Sequence, residues 1–191
     1  MTTASTICIL AIAWVTPVSA QSAVASDQSH LEFGLSFNYL LIGGSPLDEL
    51  HSGPGAELLI GYNFSPTFGV DTRMALTSHE QKLFVIGEDP GREPLLRLGI
   101  EPRIRSHAEG GESTGFLAGR VGYVAPSAVT DAGFELGGGI GLGFALTPAF
   151  AIEVSAIGSA VHVRSERRFG PTTRWSRIVS LAIGIRKTDR P

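Results

Sequence analysis

The chain has 191 residues, 43% of them hydrophobic and 17% charged, with 24 glycines. That is enough for one domain with a sizeable core, but it carries less charge than the ~25% of an ordinary soluble domain and more glycine than the usual ~7%. A net charge of −3 does not mark a nucleic-acid binder.

The first twenty residues, MTTASTICILAIAWVTPVSA, contain no Asp, Glu, Lys or Arg. Ile7 to Val15 is an apolar run of the kind at the centre of a secretory signal, and Val18, Ser19 and Ala20 place small residues before Gln21. The basic residue usual ahead of such a run is missing. The expected organisation is a signal peptide over 1–20, an N-terminal segment over 21–28, a barrel domain over 29–187 and a tail over 188–191. The single cysteine, Cys8, falls within the signal, so the processed chain would have no disulfide, Cys-based zinc site or thiol nucleophile. Beyond residue 20 no stretch reaches the ~20 apolar residues of a spanning helix.

From there the chain alternates with period two, in segments of the ~9–11 residues or more that a tilted membrane strand needs. Eight strands are expected, over 30–41, 56–65, 67–78, 94–105, 114–125, 132–146, 149–163 and 174–186. One phase is apolar throughout: Leu31, Phe33, Leu35, Phe37, Tyr39 and Leu41 in the first strand, and Trp175, Val179, Leu181, Ile183 and Ile185 in the last. Arg177 is the one charge found in that phase. The other phase carries six acids (Glu32, Glu57, Asp71, Glu101, Glu135, Glu153) and six arginines (Arg73, Arg97, Arg103, Arg105, Arg120, Arg186) among Gly, Ala, Ser and Asn.

Two closed barrels fit this pattern. A soluble lipocalin-like barrel turns its apolar phase inward around a ligand, whereas a membrane barrel turns it outward to lipid. Two features favour the membrane barrel. Threaded up and down from the periplasm, Phe33, Tyr62, Phe64, Phe68, Phe144 and Phe150 fall at the lower edge of the apolar face. Tyr39, Tyr123, Phe134 and Trp175 fall at the upper edge, and two aromatic girdles suit two membrane interfaces. The connections are also unequal. GYNFSPTFGVDT (61–72) and GFALTPAFAIEV (143–154) share one pattern and read as two short periplasmic hairpins turning on Ser/Thr-Pro. Gly43–Gly55, Thr77–Glu93 and Ser165–Thr173 read as longer outer loops.

The signal, the strand count and the aromatic-flanked Ser/Thr-Pro turns resemble the OmpA/OmpX-type eight-stranded outer-membrane barrels of Gram-negative bacteria. The resemblance spans about residues 29–187. It implies an all-β, eight-stranded antiparallel up-and-down transmembrane barrel in the outer membrane, inserted by the barrel-insertion machinery and surrounded by outer-membrane lipid and lipopolysaccharide. Three features depart from that pattern. The last strand ends SLAIGI and RKTDRP without a terminal aromatic. Pro102 interrupts the fourth strand, where a bulge is expected. RSHAEGGESTG is long for a periplasmic turn.

Twelve charges of balanced sign in a lumen just wide enough for side chains should pair and plug it. Gly137, Gly139, Gly141 and Gly143 leave a strip without side chains, expected to make room for Arg97, Arg103, Arg105 and Arg120. The run GGGIGLG has no helix after it and so does not form a phosphate loop.

No catalytic, cofactor or metal site is expected. The best local set for lipid A chemistry is His162, Ser165 and Glu166; His51-Ser52 and His79-Glu80 are expected in outer loops, and His30 and His107 are the remaining histidines. The serine does not follow the histidine at the lipid A deacylase spacing. The last outer loop is basic, and Arg164, Arg167, Arg168, Arg174 and Arg177 are candidate lipopolysaccharide contacts through bidentate phosphate binding. The second outer loop is acidic and contains KLFVIG, which could extend a hairpin and offer an edge to a surface ligand. The reading is a monomeric structural or surface-interacting barrel without enzymatic activity. Its rivals are an adhesin or resistance-type barrel, a narrow channel, a lipid A enzyme and a soluble ligand-binding barrel.

Overall fold

The computed structural model describes residues 30–44, 47, 50–81, 91–107, 113–125, 132–167 and 170–187. The expected signal, N-terminal segment, C-terminal tail, Arg168 and the KLFVIG run lie outside them. The described residues form eight antiparallel strands: β1 His30–Gly43, β2 Gly53–Asn63, β3 Phe68–Glu80, β4 Arg92–His107, β5 Ser113–Val124, β6 Gly133–Thr147, β7 Phe150–Arg167 and β8 Gly170–Lys187. Each pairs with its neighbours in sequence, and β8 closes on β1. Closure satisfies every strand edge from within, the condition for a sheet to stand in lipid.

The register fixes the shape. One row of paired residues runs from Phe33 through Ile60, Thr72, Ile100, Val121, Leu136, Ala160 and Arg177 back to β1. It returns at Gly43, ten residues above Phe33. That stagger over eight strands tilts them by about 40°, inside the ~35–45° of such barrels. At ~3.3 Å per residue, even the 11-residue β2 rises about 28 Å, enough for the ~25 Å apolar band of an outer-membrane barrel.

The apolar phase faces outward. Leu35, Phe37, Ile60, Ile104, Leu117, Ile140, Ile183 and Ile185 are all more than half exposed. The rings expected at the two edges, from Phe33 and Tyr62 to Phe134 and Trp175, also lie on the outer surface.

The two Ser/Thr-Pro turns share one mechanism. Ser65 Oγ accepts the Phe68 N–H at 3.0 Å, and Thr147 Oγ1 accepts the Phe150 N–H at 3.1 Å. The hydroxyl satisfies the donor three residues on, while proline fixes the bend between. Phe64 and Phe68 then stack across the first turn with centroids 5.7 Å apart.

Three expectations need correction. Pro102 causes no bulge. It pairs with Val70 on the β3 side, and on the β5 side the ladder skips Glu101 and Pro102 while keeping the same register. The missing N–H is absorbed by a gap, and the register shift lies instead at Ala145/Thr147. At Gly137, Gly139 and Gly141 the glycine strip of β6 is not open space for arginines. A Cβ on Gly141 would meet the Phe116 ring at 2.1 Å, and one on Gly139 would meet the Ala156 carbonyl at the same distance. Finally, the last outer loop is mostly ladder: β7 and β8 pair with each other out to Arg167 and Gly170, past the ends of β6 and β1.

Gly139→Val should therefore destabilise the barrel by about 1–3 kcal/mol, because backbone cannot yield as a side chain can. Gly158→Val, where a Cβ meets nothing within 4 Å, should leave stability unchanged. Urea unfolding of both variants in lipid vesicles checks the contrast.

Candidate functional site

The closed ladder turns the second phase of every strand into one narrow interior. All twelve charged side chains read from the sequence face it. Glu57, Asp71, Arg73, Arg97, Glu101, Arg103 and Glu135 are almost completely buried, and Glu32, Arg120 and Arg186 nearly so. Glu153 and Arg105 keep slight exposure, at 14% and 11% of the side chain.

These groups form one continuous network. At the lower end Arg105 reaches Glu32 at 3.0 Å, and Glu32 lies 2.5 Å from Arg186. Arg186 also holds Asp71 at 2.6 Å and Glu153 at 3.0 Å. Arg103 holds the same two acids, Asp71 at 2.6 Å and Glu153 at 2.7 Å. Arg73 lies 2.7 Å from Glu101, 3.0 Å from Glu153 and in close contact with Glu57. Arg120 donates to Glu101 at 2.6 Å and lies 3.4 Å from Glu57 and 3.7 Å from Glu135. Arg97 completes the chain with a two-pronged contact to Glu135.

The two repeated hairpins acquire a role here. Asp71 and Glu153 sit at the same place after their Ser/Thr-Pro turns, on opposite sides of the ring. Arg103 and Arg186 each clamp both. Arg103 also lies 4.1 Å over the Phe116 ring, which packs against Gly141. A glycine, a ring and a guanidinium thus stack across the lumen, so the strip receives Phe116 directly and an arginine only above it.

The outer end of the lumen is different, and the charge pattern gave no sign of it. Leu40, Leu95, Val124, Val161, Val163 and Ile178 come together with Leu47 and Leu50 of the first outer loop in one apolar cluster, all at 0–1% exposure. Next to it, His79 is buried with both ring nitrogens engaged. Its Nδ1 contacts the His51 carbonyl at 2.8 Å and its Nε2 the Thr77 hydroxyl at 2.6 Å.

The other histidines do not converge. His30 lies at the lower end against Asn63 and Glu32. His162 is on the outer wall, its ring centroid 4.8 Å from that of Trp175. The side chains of Ser165 and Glu166 lie outside the described ones, as do those of Arg164, Arg167 and Arg174. Arg177 is exposed on the outer wall opposite Gly43 and Ala160. Among the described residues no three His, Cys, Asp or Glu side chains group to hold a metal ion; the lumenal acids face arginines.

Solved structures with this architecture settle the fold. Neisserial surface protein A is 13% identical, with a TM-score of 0.55 over 84% of this chain and 98% of that one. Outer membrane protein OprG from Pseudomonas aeruginosa is 11% identical, with a TM-score of 0.58 over 84% and 95%. The fold is that of the eight-stranded outer-membrane barrels. Outer membrane protein AlkL shares this barrel fold at 12% identity, with a TM-score of 0.58 over 91% and 95%. No protein-family model and no curated protein matches the chain.

Removing one member of the network should cost far more than breaking a surface pair. Arg73→Met leaves six buried acids facing five arginines and takes the near contact from Glu57, and should destabilise the barrel by about 3–5 kcal/mol. Arg92→Met breaks an exposed 3.7 Å pair with Glu80 and should cost less than about 1 kcal/mol. Denaturant titration of refolded protein in vesicles measures both.

Proposed function

We propose that the protein is a small monomeric outer-membrane barrel that works as a structural or surface-interacting element, with a closed lumen and no enzymatic activity. The observation that carries this reading is the apolar outer face that runs around all eight strands. A soluble protein rarely leaves so large a patch in water, whereas a bilayer requires it. The aromatic edges of that face match two membrane interfaces.

The lumen supports a closed barrel over a channel. Its charges are spent on one another, and an apolar layer caps them. Enzymatic chemistry finds no support in the histidines: His79 is occupied on both nitrogens, and His162 packs on a tryptophan in the outer wall. Lipopolysaccharide is the proposed partner at the outer rim, where Arg177 stands exposed beside the upper girdle and the sequence adds Arg164, Arg167, Arg168 and Arg174. Guanidinium groups bind phosphate bidentately. The β7–β8 ribbon, extending past its neighbours, gives this basic segment reach and offers surface for a further ligand. Export through a cleaved signal and insertion by the barrel machinery complete the proposal.

Washed outer-membrane fractions should contain the protein as a band whose gel mobility shifts on boiling, the mark of a closed barrel that resists detergent. Recovery as a detergent-free soluble protein with no shift would overturn the proposal, because the apolar phase would then line a cavity.

A further inference from the structure

We propose that the outer wall over β7 and β8 is a seat for a phosphate-bearing acyl lipid of the outer leaflet: Arg177 takes the phosphate, and a trough floored by Ala156, Gly158 and Ala160 takes an acyl chain. The inference rests on the reading of the chain as a membrane barrel with lipopolysaccharide at its outer rim, and it adds the place on the wall where that lipid is held.

The trough comes from the strand sequence. Where β1 turns Leu35, Phe37, Tyr39 and Leu41 to the lipid side, β7 turns Ala156, Gly158 and Ala160. Side-chain height therefore drops along β7 and stays high on its flanks. On β6, Ile140 stands opposite Ala156 and Leu136 opposite Ala160, each more than half exposed; Gly138 between them widens the floor at Gly158. On β8, Leu181 stands opposite Ala156 and Val179 opposite Gly158. The two alanines are only partly exposed between these rims, and a Cβ on Gly158 would meet no atom within 4 Å. From Ala156 to Ala160 the floor runs about 13 Å at ~3.3 Å per residue. It is a narrow, wholly apolar slot along the wall, the shape of an extended hydrocarbon chain.

A cation stands at the outer end of this slot. Arg177 projects from β8 in the lipid-facing phase, exposed, with Ala160 opposite on one side and Gly43 on the other. Neither neighbour has a side chain long enough to cover a guanidinium, and Gly43, like Gly158, leaves open space where a Cβ would be. Two residues further out on the same face, Trp175 packs against His162 with ring centroids 4.8 Å apart, which puts Arg177 at head-group depth. An arginine on the lipid face is costly at the bilayer midplane and tolerated at the interface, where a lipid phosphate gives it a bidentate anionic partner. In a bilayer this stretch of wall is covered by lipid in any case. Positive charge at the outer end of the trough, and none along it, selects a lipid with a phosphate above and a chain below.

Lipid competition at Trp175 tests this. Trp14→Phe leaves Trp175 as the only tryptophan of the full chain. This parent is refolded into vesicles of brominated phosphatidylcholine, and unbrominated lipid A is titrated in. Lipid A should relieve the quenching of Trp175 well beyond its share of the lipid, whereas unbrominated phosphatidylcholine should relieve it only in proportion. Arg177→Gln should cut the preference for lipid A about fivefold, the weight of one basic residue at an anionic lipid surface. Gly158→Leu fills the trough and should lower the preference as well, while the boiling shift persists. High salt should weaken it in the parent without any substitution. Proportional relief by lipid A in the parent overturns the inference. So does a preference that survives Arg177→Gln, which would move the phosphate contact elsewhere, or one that survives Gly158→Leu, which would leave the trough without a role. Absence of any quenching by brominated lipid would instead refute the membrane-barrel reading.

Discussion

Six acids and six arginines share one narrow interior, and the structure depends on each of them finding a partner there. A lone ion buried in such a space is costly, and a paired one only repays its desolvation when the geometry is good. Here each of the twelve groups has at least one ionic partner, from Arg105 and Glu32 at the bottom to Arg97 and Glu135 above. Arg73, Arg103 and Arg186 each contact at least three carboxylates. Below the apolar cap, balanced charge supplies most of the cohesion of the interior, and this frees most apolar residues for the outside.

The same network explains why two distant segments are written alike. Each Ser/Thr-Pro turn sets a strand on its way with an aromatic on the lipid side and an acid on the lumenal side. Asp71 and Glu153 then meet between Arg103 and Arg186. The repeated sequence is one geometric requirement met twice on the ring. Turn chemistry, lipid anchoring and core electrostatics are settled together within a dozen residues.

Much of this was legible in the sequence. Period-two alternation gave the eight strands and their faces, because lipid and lumen impose opposite chemistry on neighbouring residues. The twelve lumenal residues could be named since charges appear almost nowhere in the other phase. Their partners could not, because pairing depends on the ten-residue stagger that brings Arg186 near both Asp71 and Glu153. The apolar cap is harder to read for a different reason: the charges mark the second phase as polar. Yet Tyr39-Leu40-Leu41-Ile42, Leu95-Leu96, Tyr123-Val124 and Ile178-Val179 break the alternation with consecutive apolar residues. All lie at the outer ends of strands, and that clustering was the available signal. The ends of β7 and β8 were hidden because the segment past Val163 is charged and loses its period, and only the cross-strand pairing reveals the ribbon.

The whole architecture turns on the apolar phase facing out and the charged phase facing in. Trp175 reports on it directly, because the chain has two tryptophans and the other, Trp14, lies within the segment expected to be cleaved. The decisive measurement is Trp175 fluorescence in the chain lacking residues 1–20, refolded into vesicles of brominated phospholipid. With Trp175 on the outer wall at the upper girdle, bromine should quench it, and lipids brominated near the head group should quench more than those brominated at the chain end. Emission untouched by any brominated lipid would place Trp175 away from the bilayer and contradict the assignment of the two faces.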